Sequence, residues 1–227
     1  MYSSWKRSQT AFVAVLLANL ASVVAIWWYD WQAHALLMVY WLETGVIGAI
    51  YVAKIRRAAG TDDPEAIRSW TTVDGEPPES YVGKSNRTVA VALVRNYAGF
   101  WLFAGVFFLI IPFAEEMALE PASPDAVALA AVSLVGYHIF SYWYEYVGLR
   151  EFEHRGPVSL LVEPAPRFWV LGLTLIFGLG ATSLTQSPMG VLVVLVVFKT
   201  SADLLFHRRE RKCALERSSS SERETTV

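Results

Sequence analysis

Cysteine is close to absent: the 227 residues contain one, Cys213. A lone thiol excludes an intrachain disulfide and a cysteine-based metal site. Charge is scarce as well, with 18% Asp, Glu, Lys and Arg against 54% hydrophobic residues. Three connecting segments, 30–33, 114–124 and 185–187, hold no Lys or Arg, yet they carry Asp30, Glu115, Glu116 and Glu120. Cations missing from alternate connections are the mark of a membrane topology. That distribution accounts for the basic residues, so no nucleic-acid partner is expected.

Apolar sequence is what remains, and it falls into six blocks: 10–29, 34–54, 90–113, 125–149, 165–184 and 188–206. Each is about the 20 residues that a helix needs to cross the hydrocarbon core. No water at that depth satisfies backbone groups, so each block must be helical. The expected fold is all-α, a polytopic six-helix transmembrane bundle. Lys6 and Arg7 precede the first block, which is too long for a cleaved signal and is followed at once by another, so it reads as a retained anchor. Seventeen of the 19 cations flank the blocks on one side, with Arg150, Arg155 and Arg167 between the fourth and fifth. Both termini are then cytoplasmic. Trp27, Trp28, Tyr29 and Trp31 form an interfacial belt at the outer end of the first block.

Outside the blocks, the segment 55–89 is too short and polar for a second core. Asp63-Pro64-Glu65 reads as a helix start with proline at its first position, and the remainder as loop. Asn86-Arg87-Thr88 matches a glycosylation sequon, but cytoplasmic placement makes it a chance match. The tail 208–227 is basic and serine-rich, and is expected to be disordered with its basic start against anionic lipid. The partners expected are the bilayer itself and anionic lipid at the basic loop and tail. The oligomeric state stays open, self-association included.

Glu43, Arg95, His138, Glu145, Lys199 and Asp203 lie inside the blocks, and His207 lies at the inner boundary. Each charge at the bilayer centre costs roughly 2.5–3.5 kcal/mol, so these groups must pair, neutralise or face a wet cavity. Counting depth at about 1.5 Å per residue suggests a central pair, Glu43–Lys199, and an inner pair, Arg95–Glu145. Asp203 stands one helical turn from both Lys199 and His207. His138, Ser141, Tyr142 and Glu145 share one stripe of the fourth block. Tyr40 and Glu43 repeat the i,i+3 spacing of Tyr142 and Glu145, which lets each phenol donate to its carboxylate. Gly172, Gly178 and Gly180 suggest close packing in the uncharged fifth block. The plainer alternatives are that Arg95 snorkels to the interface and that Glu43, Lys199 and Asp203 form a structural clasp.

The stretches Tyr40-Trp41-Leu42-Glu43, Tyr142-Trp143-Tyr144-Glu145 and Phe198-Lys199 through His207 sit on this six-span frame. With them, residues 10–212 resemble an uncharacterised family of prokaryotic integral membrane proteins, known only as a domain of unknown function. The resemblance implies a prokaryotic plasma membrane and assigns no chemistry.

Three functions fit the residues. In a small transporter or channel with an intramembrane ion or proton site, Glu43 is the central group and Lys199 its counter-ion. Asp203 and His207 then form the cytoplasmic exit, and Arg95, His138, Glu145, Tyr40 and Tyr142 line the remainder. Helices broken by glycine or proline, which often mark carrier sites, are missing. In a non-enzymatic scaffold or partner subunit, the same groups only hold helices together. In an intramembrane metal-dependent hydrolase, His138, Glu145, Asp203 and His207 hold zinc. No HExxH supports that reading, and Lys199 and Arg95 would repel a cation. A non-enzymatic role without a cofactor is therefore favoured.

Overall fold

The computed structural model describes residues 33–68, 72–110, 123–185, 187, 190–191, 193–198 and 200–201. Among these there is no strand; the elements are helices. The second apolar block becomes α1 (Ala33–Arg57), and the short α2 (Pro64–Ile67) follows it. The third block is α3 (Asn86–Ile110). The fourth is α4 (Pro124–Ser141), continued as a π-helical turn over Tyr142–Gly148. The fifth is built from α5 (Pro157–Val162), α6 (Ala165–Leu173), a π-helical turn over Thr174–Gly178, and α7 (Leu179–Thr185). Residues 190–191, 193–198 and 200–201 are helical. Among the described residues, four helical stretches are long and apolar enough to cross a membrane: His34–Arg57, Asn86–Ile110, Val127–Gly148 and Pro157–Thr185. The first block, 10–29, lies outside the described residues.

Asp63 caps α2 as its sequence predicts. Its side chain accepts from the Glu65 N–H at 3.0 Å, and Pro64 takes the first turn, where no N–H is missed. The next segment turns at Asp74-Gly75, both with positive φ, while Val73 and Glu76 exchange backbone hydrogen bonds at 2.8 and 3.0 Å. Asp-Gly suits this two-residue turn because both positions need the left-handed region.

The 55–89 segment is therefore more than loop. It builds no core of its own, but it inserts Ile67, Val73 and Tyr81 into a cluster with Ile55, Val89, Leu93, Tyr146 and Val158. A second cluster, inside the bundle, joins Leu37 and Tyr40 of α1 to Ala104 and Phe108 of α3. Val170, Leu171 and Leu175 of the fifth block complete it, together with Val191 and Leu195.

α1 and α3 run antiparallel and grip each other reciprocally. The Trp41 indole N–H donates to the Trp101 carbonyl, and the Trp101 indole N–H donates to the Trp41 carbonyl, both at 2.8 Å. The two rings stack with centroids 4.5 Å apart and planes 10° from parallel. Each indole lies over a glycine of the opposite helix, Trp101 over Gly45 and Trp41 over Gly105, where a β-carbon would collide with the ring. Both helices thus carry the same Trp-x-x-x-Gly spacing, one turn apart, which makes a ring and a notch on one face.

Candidate functional site

An ionisable side chain on a lipid-spanning helix turns toward protein, where another polar group offsets its desolvation. Glu43 sits ten residues into α1, about 15 Å along its axis. It faces α4, where His138 Nε2 lies 3.8 Å from Glu43 Oε1. This separation exceeds hydrogen-bonding distance. His138 Nε2 is buried and has no hydrogen-bond partner. Both side chains are largely enclosed, at 15% and 24% exposed for His138 and Glu43.

Elsewhere α1 is tied to α3, and α3 in turn packs on α6. On α1, the Thr44 hydroxyl donates to the Trp41 carbonyl at 2.7 Å. From α3, the Tyr97 phenol donates to the Thr44 carbonyl, also at 2.7 Å. Phe168 of α6 packs on Tyr97 and on Phe100, with centroids 5.5 and 4.1 Å apart. Near the start of α1, the buried His34 ring bonds the Phe108 carbonyl through Nε2 at 2.7 Å.

Several expected pairings are redrawn. The Tyr40 phenol donates to the Arg167 carbonyl at 3.4 Å rather than to Glu43, because Tyr40 lies on the face of α1 that packs against α6. Glu145 accepts from the Ser141 hydroxyl at 2.6 Å and meets neither Tyr142 nor Arg95. Ser141 is one turn away on the same stripe, so it satisfies the carboxylate locally. The Tyr142 ring stacks on Tyr146, with centroids 5.7 Å apart. Arg95 forms an ion pair with Asp74 of the Asp74-Gly75 turn, and its side chain is 64% exposed. Asn96 and Tyr81 donate to the same Asp74 carboxylate at 2.8 and 2.9 Å. Arg95 is thus tied to the turn at the foot of α3 rather than to another apolar block. Arg167 also moves: it lies within the candidate span Pro157–Thr185, ten residues along, and not in a connecting loop.

Below the bundle a shelf of cations meets aromatic faces. The Lys54 ammonium lies between the Tyr51 and Tyr146 rings, 5.2 and 5.1 Å from their centroids. Arg57 covers Phe152 at 4.9 Å, and the Tyr146 phenol donates to the Lys54 carbonyl at 2.8 Å. Arg155 bridges Glu163 at 2.6 Å and Glu151 at 3.7 Å. Burial works to lower the Arg155 pKa, but the Glu163 and Glu151 carboxylates and the Tyr51 phenol raise it on balance.

Lys199, Asp203 and His207 lie outside the described residues, and with them the Glu43–Lys199 pair and half of the zinc set. Among the described residues no three His, Cys, Asp or Glu side chains gather as metal ligands. The sequence reading missed Glu43–His138 because partners were matched by opposite formal charge, and a neutral imidazole has none. It missed Asp74 because that residue lies outside every apolar block. The signal for Asp74 was its Asp-Gly turn, which holds a carboxylate at the foot of α3.

The chain belongs to the family described as "Family of unknown function (DUF6498)", which matches residues 1–220. No curated protein and no solved structure matches it.

Proposed function

For a member of a family whose description assigns no activity, we propose a small transporter or channel-like protein in which Glu43 and His138 form the proton- or cation-handling site. The reading takes the chain as six spans in a prokaryotic plasma membrane, with both termini cytoplasmic. The observation that carries it is the buried His138 Nε2, without a hydrogen-bond partner and 3.8 Å from the Glu43 carboxylate. A shift of about 1 Å brings the two to hydrogen-bonding distance. A carboxylate and an imidazole between them accept, hold and release one proton without a backbone change. Lys199, Asp203 and His207 continue the polar path toward the cytoplasm in this reading, with Tyr40, Tyr142, Arg95 and Glu145 as supporting groups.

Flux in proteoliposomes tests it. Glu43→Gln and His138→Gln should each purify as folded protein and lose proton or cation flux that the unaltered chain supports. Equal flux in all three proteins, or no flux in any, sinks the proposal. A second reading, a non-enzymatic scaffold, is favoured by the local ties of Glu145 to Ser141 and of Arg95 to Asp74. It expects Glu43→Gln with Lys199→Met to keep full stability and leave no phenotype.

A further inference from the structure

The cations where α1 and α4 end fall into two sets. Arg150 pairs with Glu153, and Arg155 pairs with Glu151 and Glu163, so the carboxylates of this shelf are taken. Lys54 and Arg57 meet rings instead. The Lys54 ammonium lies 5.2 and 5.1 Å from the Tyr51 and Tyr146 centroids, and the Arg57 guanidinium lies 4.9 Å from that of Phe152. Among the described residues neither cation has a carboxylate or a hydrogen-bond acceptor as its partner. We infer that Lys54 and Arg57 form a binding site for the headgroup phosphate of an anionic phospholipid.

The two walls of the site are held in register. The Ala59 N–H donates to the Phe152 carbonyl at 2.8 Å, and the Gly60 N–H donates to the Arg155 carbonyl at 3.2 Å. Gly60 lies so close to the 154–155 peptide that a β-carbon there would collide with it. The Tyr146 phenol closes the upper edge by donating to the Lys54 carbonyl at 2.8 Å. Tyr146 and Phe152 have centroids 6.3 Å apart. Lys54 and Arg57, at i,i+3 on one helix face, therefore stand over adjacent rings. A ring face attracts a cation, but an ammonium still carries three N–H donors and a guanidinium five. A charge drawn out of water without acceptors is costly, so the acceptor comes from outside the shelf. Depth names it. Lys54 and Arg57 lie in the last turn of the candidate span His34–Arg57, and Tyr146 lies in the last turn of Val127–Gly148. Span ends reach the headgroup layer, where phosphate is the abundant acceptor and basic pockets between helices hold headgroups. Two cations with no carboxylate of their own favour a lipid of net negative charge. A zwitterionic lipid would bring its own cation against Lys54.

Native mass spectrometry of the full-length chain in neutral detergent tests it, with phosphatidylglycerol and phosphatidylcholine offered in equal amounts. The unaltered protein should retain phosphatidylglycerol in preference. Lys54→Gln and Arg57→Gln should each cut that preference about ten-fold, the effect of losing one hydrogen bond to a charged group. Lys54→Arg should keep it. Arg57 is exposed, so Arg57→Gln carries the test if Lys54→Gln folds poorly. Arg56→Gln removes a neighbouring charge that meets no ring among the described residues, and should leave the preference unchanged. Equal retention of the two lipids by the unaltered protein overturns the inference. So does an equal loss in Arg56→Gln, which is what diffuse attraction to any surface cation gives. Excess inorganic phosphate at matched ionic strength should not displace the lipid; if it does, the site is one for free anions and the lipid assignment fails.

Discussion

At Asp62 one carboxylate oxygen accepts the N–H groups of Val158 and Ser159 at 2.8 and 2.9 Å, while Ser159 Oγ accepts from the Asp63 N–H at 2.8 Å. A helix start leaves its first N–H groups without partners, so this side chain completes α5 and ties it to the segment after α1. Asp62→Ala should lower stability by about 1–2 kcal/mol, read as earlier thermal unfolding in detergent, and Asp62→Asn should recover most of that. The phenol–carboxylate pairs show where sequence stops informing at this scale. Tyr40 and Glu43 have the right spacing, yet spacing fixes only which side chains are close enough to meet. Tyr40 turns to α6 and Glu145 takes Ser141, choices made by neighbours that helical periodicity does not name.

Between elements, the reciprocal indole clasp separates two kinds of contact. Trp41→Phe keeps a ring over Gly105 and deletes one N–H donor. The Trp101 carbonyl it served lies mid-helix and keeps its own helical bond, so the loss should be small, about 0.6 kcal/mol as for polar contacts between membrane helices. Gly105→Val instead drives a side chain into the Trp41 ring, and should cost about 1–3 kcal/mol by overpacking. Chemical denaturation of both variants in one detergent should rank glycine above donor; the reverse rank would mean that the hydrogen bonds hold the pair. The described helices were legible because apolar length alone demands them, and the ends that lie among the described residues fell within a few residues of expectation. The fifth block is the exception. The apolar block reads as starting at 165, just after Pro164, but proline is tolerated in a first turn. α5 and α6 each open with one there, so the helical stretch begins at Pro157 and draws Arg167 inside.

Across the whole molecule, charge divides the Lys54–Arg155 shelf from the bundle. The Arg155 pKa is raised on folding, so its stabilising contribution is complete below its unfolded value and fades only as pH climbs through the folded one. For an arginine that window is strongly alkaline. The titration of Arg155 itself therefore leaves stability flat through neutral pH, and Arg155→Lys titrates at lower pH and should show an alkaline loss earlier. The shelf also makes orientation testable. Lys54, Arg56, Arg57, Arg68, Lys84 and Arg87 all flank the 55–89 segment or lie within it, and cation-rich short segments stay on the cytoplasmic side. Glu76 projects from the Asp-Gly turn and is exposed, so a thiol there reports the side without disturbing the core. In a Cys213→Ser background, Glu76→Cys should react with a membrane-impermeant maleimide in inside-out vesicles and stay unlabelled in right-side-out ones. Labelling in right-side-out vesicles alone would invert the topology. It would put the Lys54–Tyr146 shelf outside the cell and remove Asp203 and His207 as a cytoplasmic exit. The Glu43–His138 pair would stand at the same depth in either case, since it lies near the middle of α1.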